Sequence, residues 1–297
     1  MRLSSIVCCV PNRTIYHSED EGSRKSKKLP MSVKSSTAKN IKPASSEISD
    51  GAPYSAAGAL KLFARFADVE EPDVIGPEGL ETLCTEAGVP MEGAQPLILA
   101  WQLGTKEMAK IRKEEWVKGM EDLRISSLKT LALALQDLED LLILGKPPMQ
   151  RFSTPPSKKA TKAVPTENDG PYDRDRYFRY TFMKERAFLE LYQFCFGLAK
   201  TEGSRNIDME TATAFWSVLV VPKYPITAEI LDFINAKGTF KGVNKDLWNM
   251  TLEFCETVSP NLDNYEADGA WPTMLDEFVT WKKGKNGDEG ENKAGEE

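Results

Sequence analysis

The sequence predicts an all-α fold. Three observations carry this. Apolar residues recur at helical spacing from Tyr54 to Lys283, strand-type alternation is nearly absent, and capping residues stand ahead of several periodic segments. Leu60, Phe63 and Phe66 mark the first helix. Leu80, Leu83, Cys84 and Ala87 repeat at i, i+3, i+4 and i+7 and mark a second. Leu97 to Leu103 is short and nearly all apolar, which suits a central helix. Trp116, Met120 and Leu123 form another stripe. Ser126 or Ser127 then caps a helix in which Leu128, Leu131, Leu135, Leu138 and Leu142 alternate three and four apart. That seam lasts little more than two heptads, so it fits a bundle core better than a coiled coil. From Gly145 to about Arg176 the pattern breaks. Pro147-Pro148, Pro155-Pro156, Ser157-Lys158-Lys159 and Pro165 describe a flexible basic loop. Four more helices are expected at about 178–200, 208–220, 227–237 and 244–258, with Asp208 and Thr227 as N-caps and Gly238 as a stop. The last helix begins near Pro272, and its Met274, Leu275, Phe278 and Trp281 should face the core. Asp276 shares that turn and cannot be buried there without a partner.

Composition bounds the function. The chain has 297 residues, 41% of them hydrophobic, and a formal net charge of −7. That is enough apolar material for a packed core and the wrong sign for a general nucleic-acid binder. No apolar run is long enough for a membrane span. Cysteines stand at 8, 9, 84, 195 and 255, without zinc-ligand spacing, and the one histidine is His17 in the polar N-terminal stretch. Cys84, Cys195 and Cys255 fall in apolar helical patterns and read as core thiols. A thiol-dependent transferase using one of them is a competing reading. No phosphate loop and no Cys–His or Ser–His pair is present, so neither cofactor nor catalytic residue is assigned. Acid pairs such as Glu139/Asp140 read as the solvated side of a leucine-rich helix.

The expected organisation is a disordered tail over 1–53, a helical domain over 54–283 with an insert at about 145–176, and a disordered acidic tail over 284–297. In the first tail, Arg24 to Lys28 is either a nuclear import signal or a solvated charge run, which leaves nucleus and cytoplasm both open. Cys8-Cys9 lacks the neighbouring second-position glycine of a myristoyl anchor. A further competing reading is a calcium-binding helix–loop–helix protein, but the ligand arithmetic fails. A twelve-residue loop from Asp68 has Asp73 where the sixth-position glycine belongs and Gly79 where the bidentate glutamate belongs. Ile75, Ile111 and Ile207 nonetheless stand where the packed centres of such loops would be.

Several segments, in one order, carry a resemblance. Ile75 to Leu80 and Leu97-Ile98-Leu99-Ala100-Trp101 come first, then Leu191-Tyr192-Gln193-Phe194 and Ile207-Asp208-Met209-Glu210 through Phe215-Trp216. Asn244-Lys245-Asp246-Leu247-Trp248-Asn249 and Asn264 to Trp281 complete it. From Ser55 to Lys283 the chain resembles the defective-in-cullin-neddylation family and its potentiating-neddylation domain. The resemblance implies metal-free hand-like motifs and a non-catalytic co-ligase that joins a cullin with its RING subunit to the charged neddylation conjugating enzyme. It implies a cullin-binding patch of Asp246, Ala270 and Asp276. It also implies an apolar pocket for the conjugating enzyme's acetylated N-terminal methionine, at Leu80, Pro96, Leu99, Met108, Ile111, Leu198, Phe215 and Val218. Four of these depart from the family pattern: Phe215 stands for Tyr, Leu198 and Ile111 for Phe, and Met108 for Gln. A family member that binds cullins without promoting transfer is the nearest alternative. Relatives join the helices around 145–176 more tightly, so that stretch is an insert. The protein is expected to be monomeric.

Overall fold

Eleven helices and two short antiparallel ladders account for the regular structure of the computed structural model, which describes residues 53–150 and 171–293. The expectations for the basic cluster, Cys8-Cys9 and His17 lie outside the described residues. In chain order the elements are α1 (Ala56–Phe66), β1 (Val74–Ile75), α2 (Pro77–Ala87), α3 (Gln95–Leu103), β2 (Ile111–Arg112), α4 (Lys113–Leu123) and α5 (Leu128–Leu142). Then follow α6 (Asp175–Phe182), α7 (Lys184–Ala199), β3 (Asn206–Asp208), α8 (Met209–Leu219), α9 (Ile226–Lys237), β4 (Gly242–Asn244), α10 (Lys245–Thr257) and α11 (Thr273–Lys293).

Each ladder ties two helix–loop–helix units together. Ile75 pairs with Ile111 across β1 and β2, and Ile207 with Val243 across β3 and β4. All four are buried, so each ladder is a rung of apolar side chains between four helix ends. The acids beside the first ladder are already engaged. Asp68 accepts the Gly76 N–H at 3.2 Å, and Asp73 pairs with the Lys113 ammonium at 2.8 Å. Among the described residues, no three His, Cys, Asp or Glu side chains converge as a metal ion would require.

The helix α3 is the apolar centre expected of Leu97 to Leu103: it packs on α4, α5 and α7. It crosses α4 closely at Gly119, where an added Cβ would come within 2.4 Å of Leu103 Cδ2. The helix α7 links the two halves, touching α3 and α5 on one side and α8 and α10 on the other. Where α7, α8 and α10 meet, the Tyr192 ring stacks on Trp248 at 4.3 Å, and Trp248 on Trp216 at 5.4 Å. The polar atoms of this stack are mutually satisfied. Tyr192 Oη donates to the Trp248 carbonyl at 2.6 Å and accepts from Trp216 Nε1 at 2.8 Å, while Trp248 Nε1 donates to the Tyr192 carbonyl. From Ala59 in α1 to Val279 in α11 the buried apolar side chains form one cluster. Cys84, Cys195 and Cys255 lie within it as free thiols, as their apolar surroundings in sequence predict.

Several local expectations are corrected. Leu60 is exposed, and the buried stripe of α1 is Ala59, Leu62, Phe63 and Phe66. The small Ala59 faces inward, and Trp116 Nε1 donates to its carbonyl at 2.9 Å. Ser127, not Ser126, caps α5, its Oγ accepting the Thr130 N–H. The expected helix at 178–200 is two helices broken at Met183 (φ −138°, ψ 52°). Asp208 caps α8 as predicted. Thr227 does not cap α9; Pro225 holds that position, and the buried Thr227 hydroxyl lies 3.2 Å from Cys255 Sγ. Glu139 and Asp140 are half-buried rather than solvated. Glu139 accepts from Gln95 Nε2 at 2.7 Å, and Asp140 pairs with Lys146 at 2.9 Å. Pro272 lies one residue ahead of α11, whose first N–H bonds go to its carbonyl. The α11 backbone continues to Lys293, beyond the expected helical end at Lys283.

The two ends of the insert are packed. The Met149 N–H donates to Tyr177 Oη at 3.0 Å, and Tyr172 Oη donates to Asp137 at 2.7 Å. The returning helix α6 lies against α5 and α7. Its Arg176 reaches Gln102 Oε1 at 3.1 Å and Asp122 at 2.9 Å, and its Tyr180 stacks on Trp101 at 5.1 Å. Residues 151–170 lie outside the described residues.

Candidate protein-binding surfaces

The first surface is built on α10, α11 and the segment between them. Asp246 is exposed in the first turn of α10, where Asn244 Oδ1 caps the Leu247 N–H at 2.7 Å. A carboxylate is favoured there by the helix dipole whatever else it does. At the other end of α10, Phe254 is buried among the rings of Tyr265, Trp271 and Phe278. Phe254 lies eight residues, about 12 Å along the axis, from Asp246. The loop is thereby pinned to the C-terminal half of the helix. Its geometry around Ala270 is specific. The Gly269 N–H donates to the Glu266 carbonyl, and the Trp271 N–H to the Gly269 carbonyl at 2.9 Å. The second of these bonds closes a three-residue turn centred on Ala270, whose methyl is exposed. A Cβ on Gly269 would come within 2.9 Å of Trp271 Nε1, so the indole is part of what shapes this turn.

The partner that Asp276 requires is Tyr265, whose Oη donates to Asp276 Oδ1 at 2.5 Å. Burial, followed by this bond to a carboxylate, pushes the Tyr265 hydroxyl up to about 12. Helix α11 is itself fixed by Phe278 and Trp281 against Phe233, and by Lys282 with Glu229 at 2.5 Å. Ala270 and Asp276 thus share one aromatic framework, and Asp246 stands apart at the far end of α10. Exposed or half-exposed carboxylates can accept charge-assisted hydrogen bonds from a cation with an apolar stem. Tyr265 is a residue of this site that sequence reasoning missed. Its position in an acid-rich loop was visible, but its pairing with a residue eleven positions later was not.

The residues of the second predicted surface are mostly buried. Leu99, Ile111 and Phe215 are core residues with 3% exposure or less, and Leu80 and Leu198 are buried as well. Pro96, Met108 and Val218 are half-buried. Pro96 and Leu99 lie on α3, Leu198 on α7, and Phe215 and Val218 on α8. These helices meet around α7. Leu80 lies on α2, whose main neighbours are α1 and α5. Cavities of about 650, 360 and 270 Å³ open elsewhere, and none of the eight residues lines any of them.

Residues 175–281 match a family model described as cullin binding, and that span holds Asp246, Ala270 and Asp276 as well as Leu198, Phe215 and Val218. The chain is 30% identical over 224 residues to DCN1-like protein 5 of Homo sapiens, across 75% of this chain and 77% of that protein. The chain belongs to the DCN1-like protein family. DCN1-like protein 4 of Danio rerio is 29% identical over 255 residues, or 85% of this chain and 76% of that protein. DCN1-like protein 4 of Drosophila melanogaster is 28% identical over 228 residues, or 77% and 75%. In this member of the DCN1-like family the matched span begins at α6, within the part of the insert that is folded against the core.

Proposed function

We propose that this protein is a non-catalytic co-ligase for cullin neddylation. It binds the C-terminal winged-helix region of a cullin through Asp246, Ala270 and Asp276. It holds the conjugating enzyme, charged with its ubiquitin-like modifier, near the cullin's RING subunit. The single observation that carries the reading is Asp276, a half-buried carboxylate held at one oxygen by a neutral phenol on a span that matches a cullin-binding family model. A carboxylate kept in place without an internal cation is a ready acceptor for a partner's lysine or arginine. Holding two reactants on one body raises the rate through proximity and orientation, with the reactive groups supplied by the partners. The competing thiol-transferase reading is disfavoured on physical grounds. Cys84, Cys195 and Cys255 are all buried, and burial pushes the three thiols up, Cys84 to about 12 and Cys255 to about 11, so the nucleophilic thiolate is suppressed.

A specific observation favours a second reading, a cullin binder that does not promote transfer. Leu99, Ile111 and Phe215, expected to line the conjugating-enzyme pocket, are packed into the core. One experiment tests both. Transfer of the modifier onto a cullin–RING complex is reconstituted with the native chain, with the Asp246→Ala/Asp276→Ala variant and with no added protein, and cullin binding is measured in parallel. The co-ligase reading expects stimulation that the variant loses. Binding without stimulation selects the second reading. Native cullin binding by the variant would remove the assigned patch.

A further inference from the structure

We propose that Tyr265 is a positioning residue for Asp276, holding its carboxylate in the orientation that receives the cullin's cation; this rests on the function proposed above. An aspartate at a helix start has two rotatable side-chain bonds, and ordering them on binding weakens association. Here the ordering precedes binding. Tyr265 Oη occupies Oδ1 at 2.5 Å, which leaves Oδ2 as the oxygen for a partner. The donor is neutral, so the negative charge of Asp276 is not cancelled, and among the described residues no ion pair engages it. On the same helix, the Lys283 ammonium lies over the face of the Tyr265 ring, 5.5 Å from its centroid.

Tyr265 is held from several directions. Its ring packs on Phe254 at 6.4 Å, and its N–H donates to the Leu262 carbonyl at 3.2 Å. Leu262 is buried in the left-handed region at φ 63°, a conformation that a β-carbon disfavours and that its surroundings maintain. Beside it, Asn264 Oδ1 accepts the Ser259 N–H and Asn264 Nδ2 donates to the Thr257 carbonyl, each at 2.7 Å. These bonds stitch the loop to the end of α10 and deliver the phenol to Asp276. Asp276 is thus preorganised by the segment that joins α10 to α11.

The test is a double-mutant cycle on the full chain with a purified C-terminal winged-helix fragment of a cullin, with thermal midpoints as folding controls. Tyr265→Phe keeps the ring and removes only the hydroxyl. It is expected to weaken binding by about tenfold in the native background and to have no further effect in the Asp276→Ala background. A merely structural Tyr265 would weaken binding equally in both backgrounds, and that additivity would overturn the proposal. So would unchanged affinity in Tyr265→Phe when Asp276→Ala binds poorly. Unchanged affinity in Asp276→Ala itself removes the cullin-binding patch and the positioning role with it.

Discussion

Tyr192 shows what one hydroxyl can hold together. It lies at the meeting point of α7, α8 and α10, donating to a main-chain carbonyl on one helix and accepting an indole N–H from another. Tyr192→Phe leaves the ring stack but strands the buried Trp216 Nε1, while the Trp248 carbonyl keeps its partner within the helix. An unsatisfied buried group costs about 1–3 kcal/mol. Urea unfolding should therefore show a lower midpoint at unchanged slope; an unchanged midpoint would mean that water replaces the hydroxyl. At this scale the sequence was informative about need and silent about identity. The position of Asp276 among Met274, Leu275 and Phe278 announced that a partner was required, because a carboxylate among apolar neighbours must be satisfied. That the partner is Tyr265 depends on how the loop after α10 turns, through a positive φ at Leu262 that no local pattern marks. The same holds for Thr227, a good cap by type, whose hydroxyl is directed to Cys255 by packing instead.

Helices were legible wherever a cap or a strict apolar period marked them. Asp208 stops the chain before α8, and Gly238 ends α9 in the left-handed region at φ 62°, as their residue types suggest. The break between α6 and α7 was not legible, because Tyr-Thr-Phe-Met-Lys contains neither glycine nor proline and continues the apolar rhythm across Met183. The two ladders were also hidden, since two or three paired residues are too few for an alternation to appear. A close crossing is likewise invisible in one helix alone. Gly119 in α4 faces the α3 backbone, where an added methyl would lie 3.0 Å from Leu103 Cα and 2.4 Å from Leu103 Cδ2. Gly119→Ala raises helix propensity but overpacks this contact, and overpacking costs about 1–3 kcal/mol. The expected result is a lower thermal midpoint. A rise would show that α3 and α4 can move apart.

The molecule as a whole carries thiols in both of its halves: Cys84 in α2, Cys195 in α7 and Cys255 in α10. Burial raises all three above the ordinary thiol value of 9.0, Cys84 to about 12 and Cys255 to about 11. A proton is therefore held more tightly in the fold than in the unfolded chain. This contribution to stability is complete below about pH 9 and is lost as pH rises through the folded values. The urea midpoint should be flat through neutrality and fall steadily above about pH 9; a midpoint still flat at pH 11 would mean that these thiols are not sealed. All-α architecture and a single apolar core were readable from periodicity, because every amphipathic stripe needs a neighbour to cover it. The packed edges of the insert were not, because proline and lysine runs obscured Tyr172, Tyr177 and Tyr180. Met149 and Tyr177 lie one hydrogen bond apart, so the two described edges of the insert meet in one place. Such a doorway is indifferent to what passes through it: each doubling of a flexible excursion costs only about 0.6 kcal/mol. Evolution or an engineer can thread a tag, a signal or a further module there and leave the candidate surface on α10 and α11 untouched.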